Sequence, residues 1–600
     1  MPHQMPFGAQ IIEGGVRFAL FAPNARTVEL VVEEGAPEPM TRDSEGFFTR
    51  IAPDAQAGSR YRFRIDGATF VPDPASRAQP DGVDEASLVV DGSRYQWRTP
   101  DWRGRPWTEA VVYEAHVGTA TPEGTFAALA AKLETLRNDG FTAIELMPLA
   151  ACEGARNWGY DGVLMFAPSA DYGTPDDLRA LIDRAHELGL MVFLDVVYNH
   201  FGPAGNYLHV YAQGFFTPKH QTPWGAGLNF DDVGAAPVRA FFIANALYWL
   251  IEFRFDGLRF DAVHAIVDDS PRDILVELAQ TIAARIPDRA VHLILENEHN
   301  SARRLARDEA ARPQLYTAQW NDDLHHCLHV LLTGESDAYY ADFADAPLGR
   351  LGLGLAQGFV YQGERSTNLG RARGEPSAHL PPEAFVSFLQ NHDQIGNRAF
   401  GERIDRLTSA RKLAVADAIL LLSPQIPMLF MGEEWDASSP FQFFVDFARD
   451  PALSKAVREG RRREFARALG FSSGDADKIP DPTAASTFAS SKLDWSERER
   501  APHAEKLARI RRLLALRRTH VAPLLASGFE GAAHAQAGDA LQVEWRFRAG
   551  RLALELNIGA ASIAPRTAMR LIYDSDEADA AAPLAPWSCR VSATREADHA

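Results

Sequence analysis

Three acids and two histidines stand at the ends of apolar runs in this chain, and none of the runs offers a thiol or hydroxyl nucleophile. The runs are Asp195-Val196-Val197-Tyr198-Asn199-His200, Gly257-Leu258-Arg259-Phe260-Asp261, His292-Leu293-Ile294-Leu295-Glu296 and Gln390-Asn391-His392-Asp393-Gln394. An apolar or β-branched run that stops in a polar cluster is how a buried parallel strand reads when it ends in a cleft. A closed barrel of parallel strands collects such ends on one face, so residues far apart in the chain meet one substrate. Carboxylates placed in this way suit glycosidic bond cleavage, in which one acid attacks the anomeric carbon and a second protonates the departing oxygen. Arg259 lies two residues before Asp261 on the same strand and so points to the same side. A guanidinium there favours an ionised Asp261, the form a nucleophile needs. Glu296, one strand later, suits the acid/base, which needs a raised pKa. Glu298 follows in Glu296-Asn297-Glu298; Glu296 is preferred because it directly succeeds the apolar run.

The elements that must position these residues follow from the pattern between them. From Ala110 onward, apolar strands alternate with amphipathic helices. Strands are expected at 111–116, 143–147, 191–197, 257–260, 291–295, 316–320, 385–389 and 426–430, with helices near 126–139, 176–188, 238–253 and 272–286. Sustained alternation of this kind predicts an α/β fold, a (β/α)8 TIM barrel. The first hundred residues instead carry short strands with close turn signals, among them Tyr61-Arg62-Phe63-Arg64-Ile65 before Asp66-Gly67, and predict an N-terminal β-sandwich. Alternation returns in Leu541-Gln542-Val543-Glu544-Trp545-Arg546-Phe547 and predicts a C-terminal all-β domain. The expected boundaries are 1–97, 98–520 (including a helix at 505–518) and 521–600. The segment after His200, rich in Gly, Pro and aromatics through Phe230, is too long for an ordinary connection and is expected to shape the substrate pocket. A Gly/Ser/Asp/Pro-rich stretch at 470–491 should loosen the fold.

Bulk properties narrow the partners. The chain has 600 residues, 46% hydrophobic and 24% charged, and 61 Lys and Arg against 80 Asp and Glu give a net charge of −19. That surface excludes a nucleic-acid partner, which needs a basic footprint. The most apolar stretch, 413–431, is interrupted by Asp417, Pro424 and Pro427 and reads as a buried helix and strand, so no membrane partner is expected. Three cysteines, Cys152, Cys327 and Cys589, lack metal-ligand spacing and are odd in number, which fits free thiols in a reducing compartment. With no secretory signal at the start, the cytoplasm is expected. No compact run of alternating Asp and Asn ligands is present, so neither metal nor cofactor is expected.

The ordered blocks 195–200, Arg259 with Asp261, Glu296, and His392 with Asp393 resemble the four sequence regions of the alpha-amylase superfamily. The resemblance implies that Asp261 is the nucleophile, Glu296 the acid/base and Asp393 a third acid gripping sugar hydroxyls. It implies that His200 and His392 hydrogen-bond the sugar at subsite −1, that Asn199 and Asp195 brace the region (Asp195 through Arg259), and that Tyr160 of Trp158-Gly159-Tyr160-Asp161 stacks on that sugar. Phe18-Ala19-Leu20-Phe21-Ala22-Pro23-Asn24-Ala25 resembles the amino-terminal module of branching and debranching relatives, although Phe21 stands where Trp is common. A finer resemblance, to the malto-oligosyltrehalose trehalohydrolase family, rests on Tyr113-Glu114-Ala115-His116-Val117-Gly118-Thr119, Trp320-Asn321-Asp322-Asp323-Leu324-His325-His326, Pro440-Phe441-Gln442-Phe443-Phe444 and Ser491-Lys492-Leu493-Asp494-Trp495. It implies a maltooligosyl-trehalose substrate and a trehalose product, with a branching or debranching enzyme as the alternative. Specificity is expected from the loop 432–444, where Glu433, Glu434, Trp435 and Gln442 offer polar groups and an aromatic face.

Overall fold

The computed structural model describes residues 5–222, 225–468 and 478–595. Eight parallel strands close into a barrel in chain order: β1 (Val112–Ala115), β2 (Ala143–Leu146), β3 (Met191–Val196), β4 (Gly257–Phe260), β5 (His292–Leu295), β6 (Ala318–Trp320), β7 (Phe385–Ser387) and β8 (Ile426–Phe430). The seam is closed by β8 pairing with β1, Val112 opposite Met428. Every residue of β4 and β5 is buried. Their apolar runs are continuous because helices cover the outside and side chains fill the inside. Ala143, Phe193, Ile294, Trp320, Phe388 and Met428 are among the residues that fill the interior.

The helices form where the sequence both caps and patterns them. Pro175–Glu187 begins at a Thr174–Asp177 capping box with proline in its first turn, and it buries Leu178, Leu181, Ile182 and Ala185. Ala235–Glu252, Ile274–Arg285, Asp322–Thr333 and Ala410–Leu422 continue the outer ring. The helix expected at 126–139 is broken into Phe126–Ala130 and Leu133–Asp139.

Residues before the barrel form two antiparallel sheets. One is centred on Gly15–Phe21 and Phe47–Ala52, the other on Val28–Val32 and Arg60–Ile65. Phe18, Leu30, Phe48 and Phe63 pack in the core. After the helix His503–Leu516, a five-stranded antiparallel sheet runs from Phe529–Ala537 to Ser588–Arg595. The segment after His200 is more ordered than its composition suggested: it holds a hairpin of Phe216–Thr222 and Gly225–Leu228. Of the stretch expected to loosen, 470–477 lie outside the described residues, and Ala485–Ser490 is a helix that sets Phe488 against Phe444.

Candidate active site

Arg259 organises the carboxyl-terminal mouth of the barrel. Fully buried on β4, its NH1 donates to Asp195 Oδ2 at 2.6 Å and Asp261 Oδ1 at 3.0 Å, and its NH2 lies 3.0 Å from Glu296 Oε2. Its guanidinium lies over the Trp320 ring, 3.9 Å from the centroid. One cation therefore serves three carboxyl groups drawn from β3, the end of β4 and the end of β5.

Local backbone geometry fixes the two central acids. Asp261 N donates to Val196 O and Glu296 N to Phe260 O, continuing the barrel ladder by one residue. Ala262 then takes a left-handed conformation (φ 39°) uncommon for a residue with a Cβ, and its N–H donates to Glu296 Oε2 at 2.7 Å. Asn199 Nδ2 donates to Asp261 Oδ2 at 2.8 Å and to its backbone oxygen at 3.0 Å. Glu298 does not enter this cluster. It is 42% exposed and faces His264 across 4.0 Å on the rim.

The second half of the site is built around His392. Glu114, on β1, meets His392 Nδ1 and accepts from its backbone N–H. His392 Nε2 lies 2.9 Å from Tyr160 OH and 3.6 Å from Asp393 Oδ2. Tyr160 donates to Asp195 Oδ2 at 2.6 Å and stacks on the imidazole. Its neighbour Trp158 is held by Phe441, by the Gln442 carbonyl at 3.0 Å and by Gly396, whose lack of a side chain admits the indole. Asp393, 39% exposed, turns towards the cleft and accepts from Asn397. His200 is half-buried beside Asn199.

The electrostatics are those of a crowded acid cluster. Burial and repulsion by Glu296 push Asp261 well above the usual carboxylate range, against the pull of Arg259. Burial acts on Glu296 too, but Arg259 and the Ala262 N–H hold it below that range. The two share one guanidinium and titrate as a pair. Burial opposes a charge on His392, yet Asp393 and Glu114 raise it to about 9, so it is cationic at neutral pH. Burial lowers His200 to about 4 and leaves it neutral.

The loop after β8 departs from expectation. Trp435 is 0% exposed, packed between Trp495 and the Arg498 guanidinium, and offers no face to a sugar. Glu433 and Glu434 are also buried, and burial raises both to about 8. The buried Gln442 side chain bonds Phe400 O and Ser490 Oγ, while its backbone carbonyl supports Trp158. Two acids that the sequence showed only inside quoted motifs, with no role, stand at the site. Glu114 sits mid-run in β1, where periodicity does not single it out. Asp322 follows β6 as the other site acids follow their strands, and burial with repulsion from Glu296 raises it to about 8. Among the described residues, one group, His220, Asp231 and Asp269, brings metal-ligating atoms together. Lys219 Nζ already lies 2.7 Å from Asp231 and 3.1 Å from Asp269, so an ammonium occupies the cation's position.

A closed eight-stranded barrel whose mouth gathers acids around one arginine, behind an N-terminal sandwich, defines a glycoside hydrolase of the alpha-amylase superfamily. Family models agree: "Alpha amylase, catalytic domain" matches residues 78–221 and "Carbohydrate-binding module 48 (Isoamylase N-terminal domain)" residues 6–104, while a domain family of unknown function matches 528–591. The chain is 43% identical to the malto-oligosyltrehalose trehalohydrolase of Deinococcus radiodurans, over 92% of this chain and 89% of that one. It is 42% identical to the enzyme of that name from Saccharolobus solfataricus, over 82% and 84%. The chain belongs to the malto-oligosyltrehalose trehalohydrolase family. A crystal structure described as a putative alpha amylase from Salmonella typhimurium superposes with a TM-score of 0.93 at 46% identity, over 98% of this chain and 99% of that one. Likeness to a 1,4-alpha-glucan branching enzyme of Mycobacterium tuberculosis, 36% identical, reaches only 43% of this chain and 38% of that one.

Proposed function

We propose that this enzyme hydrolyses the α-1,4-glucosidic bond beside the terminal trehalose unit of maltooligosyl-trehalose and releases trehalose, a step in making trehalose from glucan. Similarity to the trehalohydrolases along nearly the whole chain supports this substrate over a branching reaction. The observation that carries the chemistry is the single Arg259 guanidinium in contact with both Asp261 and Glu296. Two carboxyls tied to one small cation favour the narrower spacing of a retaining enzyme, about 5–5.5 Å.

In this reading Asp261 attacks the anomeric carbon of the −1 glucose while Glu296 gives its proton to the oxygen that leaves with trehalose. Glu296, now a base, takes a proton from water, whose oxygen displaces Asp261 from the glycosyl-enzyme. Positive charge developing at the sugar ring favours an ionised Asp261, and the glycosidic oxygen beside Glu296 gives the proton an acceptor. Asp393 and the cationic His392 bind hydroxyls of the same sugar, His200 and Tyr160 complete the subsite, and Asn199, Asp195 and Arg259 hold the acids in place. The free thiols Cys152, Cys327 and Cys589 support a cytoplasmic location; among the described residues no helix is long and apolar enough to cross a membrane. Incubation with maltopentaosyl-trehalose should release trehalose much faster than plain maltooligosaccharide is cut, with the new reducing end appearing first as the α-anomer. Branched glucan as product, or the β-anomer first, would refute the reading.

A further inference from the structure

One acid at the heart of the barrel has no part in that scheme. Glu145 lies on β2 in register with Glu114 of β1 and Phe193 of β3, so it shares their inward face. Asp195 lies two residues beyond Phe193 and pairs with Arg259, which puts Glu145 one step beneath the Asp195–Arg259 pair. The side chain is 1% exposed, and neither carboxyl oxygen meets a donor among the described residues.

No hydrogen bond from the neighbouring cations reaches Glu145. Arg259 gives NH1 to Asp195 and Asp261 and sets NH2 against Glu296, and although its Nε and NH2 make no hydrogen bond, neither meets a Glu145 oxygen. His392 is taken by Glu114 and Tyr160. An ionised carboxylate with no donor for either oxygen, enclosed by Glu114 and Asp195, carries a heavy desolvation cost. A protonated carboxyl in the same position brings its own donor. One step above it lies an acceptor in need of one: Asp195 takes both Tyr160 OH and Arg259 NH1 on Oδ2, and its buried Oδ1 meets no donor among the described residues.

We propose that Glu145 is a positioning residue, an un-ionised carboxylic acid whose O–H serves Asp195 Oδ1 and so locks Asp195 in the orientation that holds Arg259 and Tyr160. It supplies a donor without adding a negative charge that would compete for the single guanidinium. Burial pushes its carboxyl well up, and Asp195 and Glu114 add to the effect against the pull of Arg259 and His392. The inference rests on the active-site reading above.

The test compares Glu145→Gln with Glu145→Leu. The amide retains a neutral donor and should keep kcat within about threefold of wild type, whereas the leucine removes the donor at similar volume and should lower kcat roughly tenfold to a hundredfold. At neutral pH, the infrared difference spectrum between wild type and Glu145→Gln should show loss of a protonated-carboxyl carbonyl stretch. Absence of that band overturns the proposal, as does a glutamine variant as slow as the leucine one or a leucine variant as fast as wild type. Should the leucine variant not fold, the infrared band and the glutamine rate decide. The band reports on Glu145 whatever the reaction is, so its failure is distinct from failure of the assigned nucleophile, which Asp261→Asn tests.

Discussion

Asp261→Asn separates the chemistry of the nucleophile from its electrostatic cost. The exchange is nearly isosteric, and each partner keeps another acceptor: Arg259 still has Asp195 and Glu296, and Asn199 Nδ2 still has the backbone oxygen of residue 261. Each existing donor keeps at least one acceptor, so the fold should survive. Because folding raises the Asp261 pKa, the wild-type carboxyl destabilises the native state increasingly as pH rises from about 4 towards its folded value, by about 1.4 kcal/mol per pH unit across that window. The asparagine carries no such burden. Loss of the hydrogen bond from Asn199, worth about 0.5–1.5 kcal/mol, offsets part of the gain. The variant should therefore melt at the wild-type temperature or about 1–3 °C above it at pH 7, with the advantage vanishing near pH 4. Turnover of maltooligosyl-trehalose should fall by at least about 1,000-fold, or about 4 kcal/mol at the barrier. Calorimetry at both pH values and initial rates decide the matter. Near-normal turnover would place the nucleophile elsewhere, and a melting temperature that drops more at pH 7 than at pH 4 would refute the electrostatic argument.

Glu296→Gln should abolish turnover of natural substrates while Glu298→Gln keeps most of it, because only Glu296 lies against Arg259; the rates of the two variants check this directly. His392, raised from 6.5 to about 9, contributes stability that is complete below about pH 6.5 and lost as pH rises through about 9. Glu114→Gln removes one of the two carboxylates responsible, so the alkaline fall in melting temperature should begin at lower pH. Trp435→Ala should cost about 3–5 kcal/mol of stability, measured by denaturant unfolding. In the fraction that remains folded, cleavage of maltooligosyl-trehalose and of plain maltooligosaccharide should decline together, and selective loss on the trehalose-bearing substrate would restore Trp435 as a specificity residue.

What the sequence disclosed was whatever its local periodicity encodes. Strand ends could be read because β3, β4 and β5 are apolar up to one polar residue, and Asp195, Arg259, Asp261 and Glu296 fall at those points. Pairings across long separations carried no such mark. Glu114 reaches His392 over 278 residues, and nothing near either position announces it. Trp435 looked available because aromatic residues in a loop after a barrel strand often face a ligand. Its burial depends on Trp495 and Arg498, some 60 residues away in the chain. The hairpin after His200 was hidden because Lys219-His220-Gln221-Thr222 lacks apolar alternation; its order comes from cross-strand pairing and from the contacts of Lys219 and His220 with Asp231.

The link between Glu114 and His392 also bears on when the enzyme becomes competent during its own synthesis. Glu114 belongs to the first barrel strand, His392 follows the seventh, and the eighth closes against the first through Val112 and Met428. Asp195, Arg259, Asp261 and Glu296 can all have left the ribosome while their cleft still lacks its cationic wall. A nascent chain ending before residue 392 then holds the nucleophile and the acid but cannot grip a sugar between them, so competence should arrive as a late step, after the seventh strand is made.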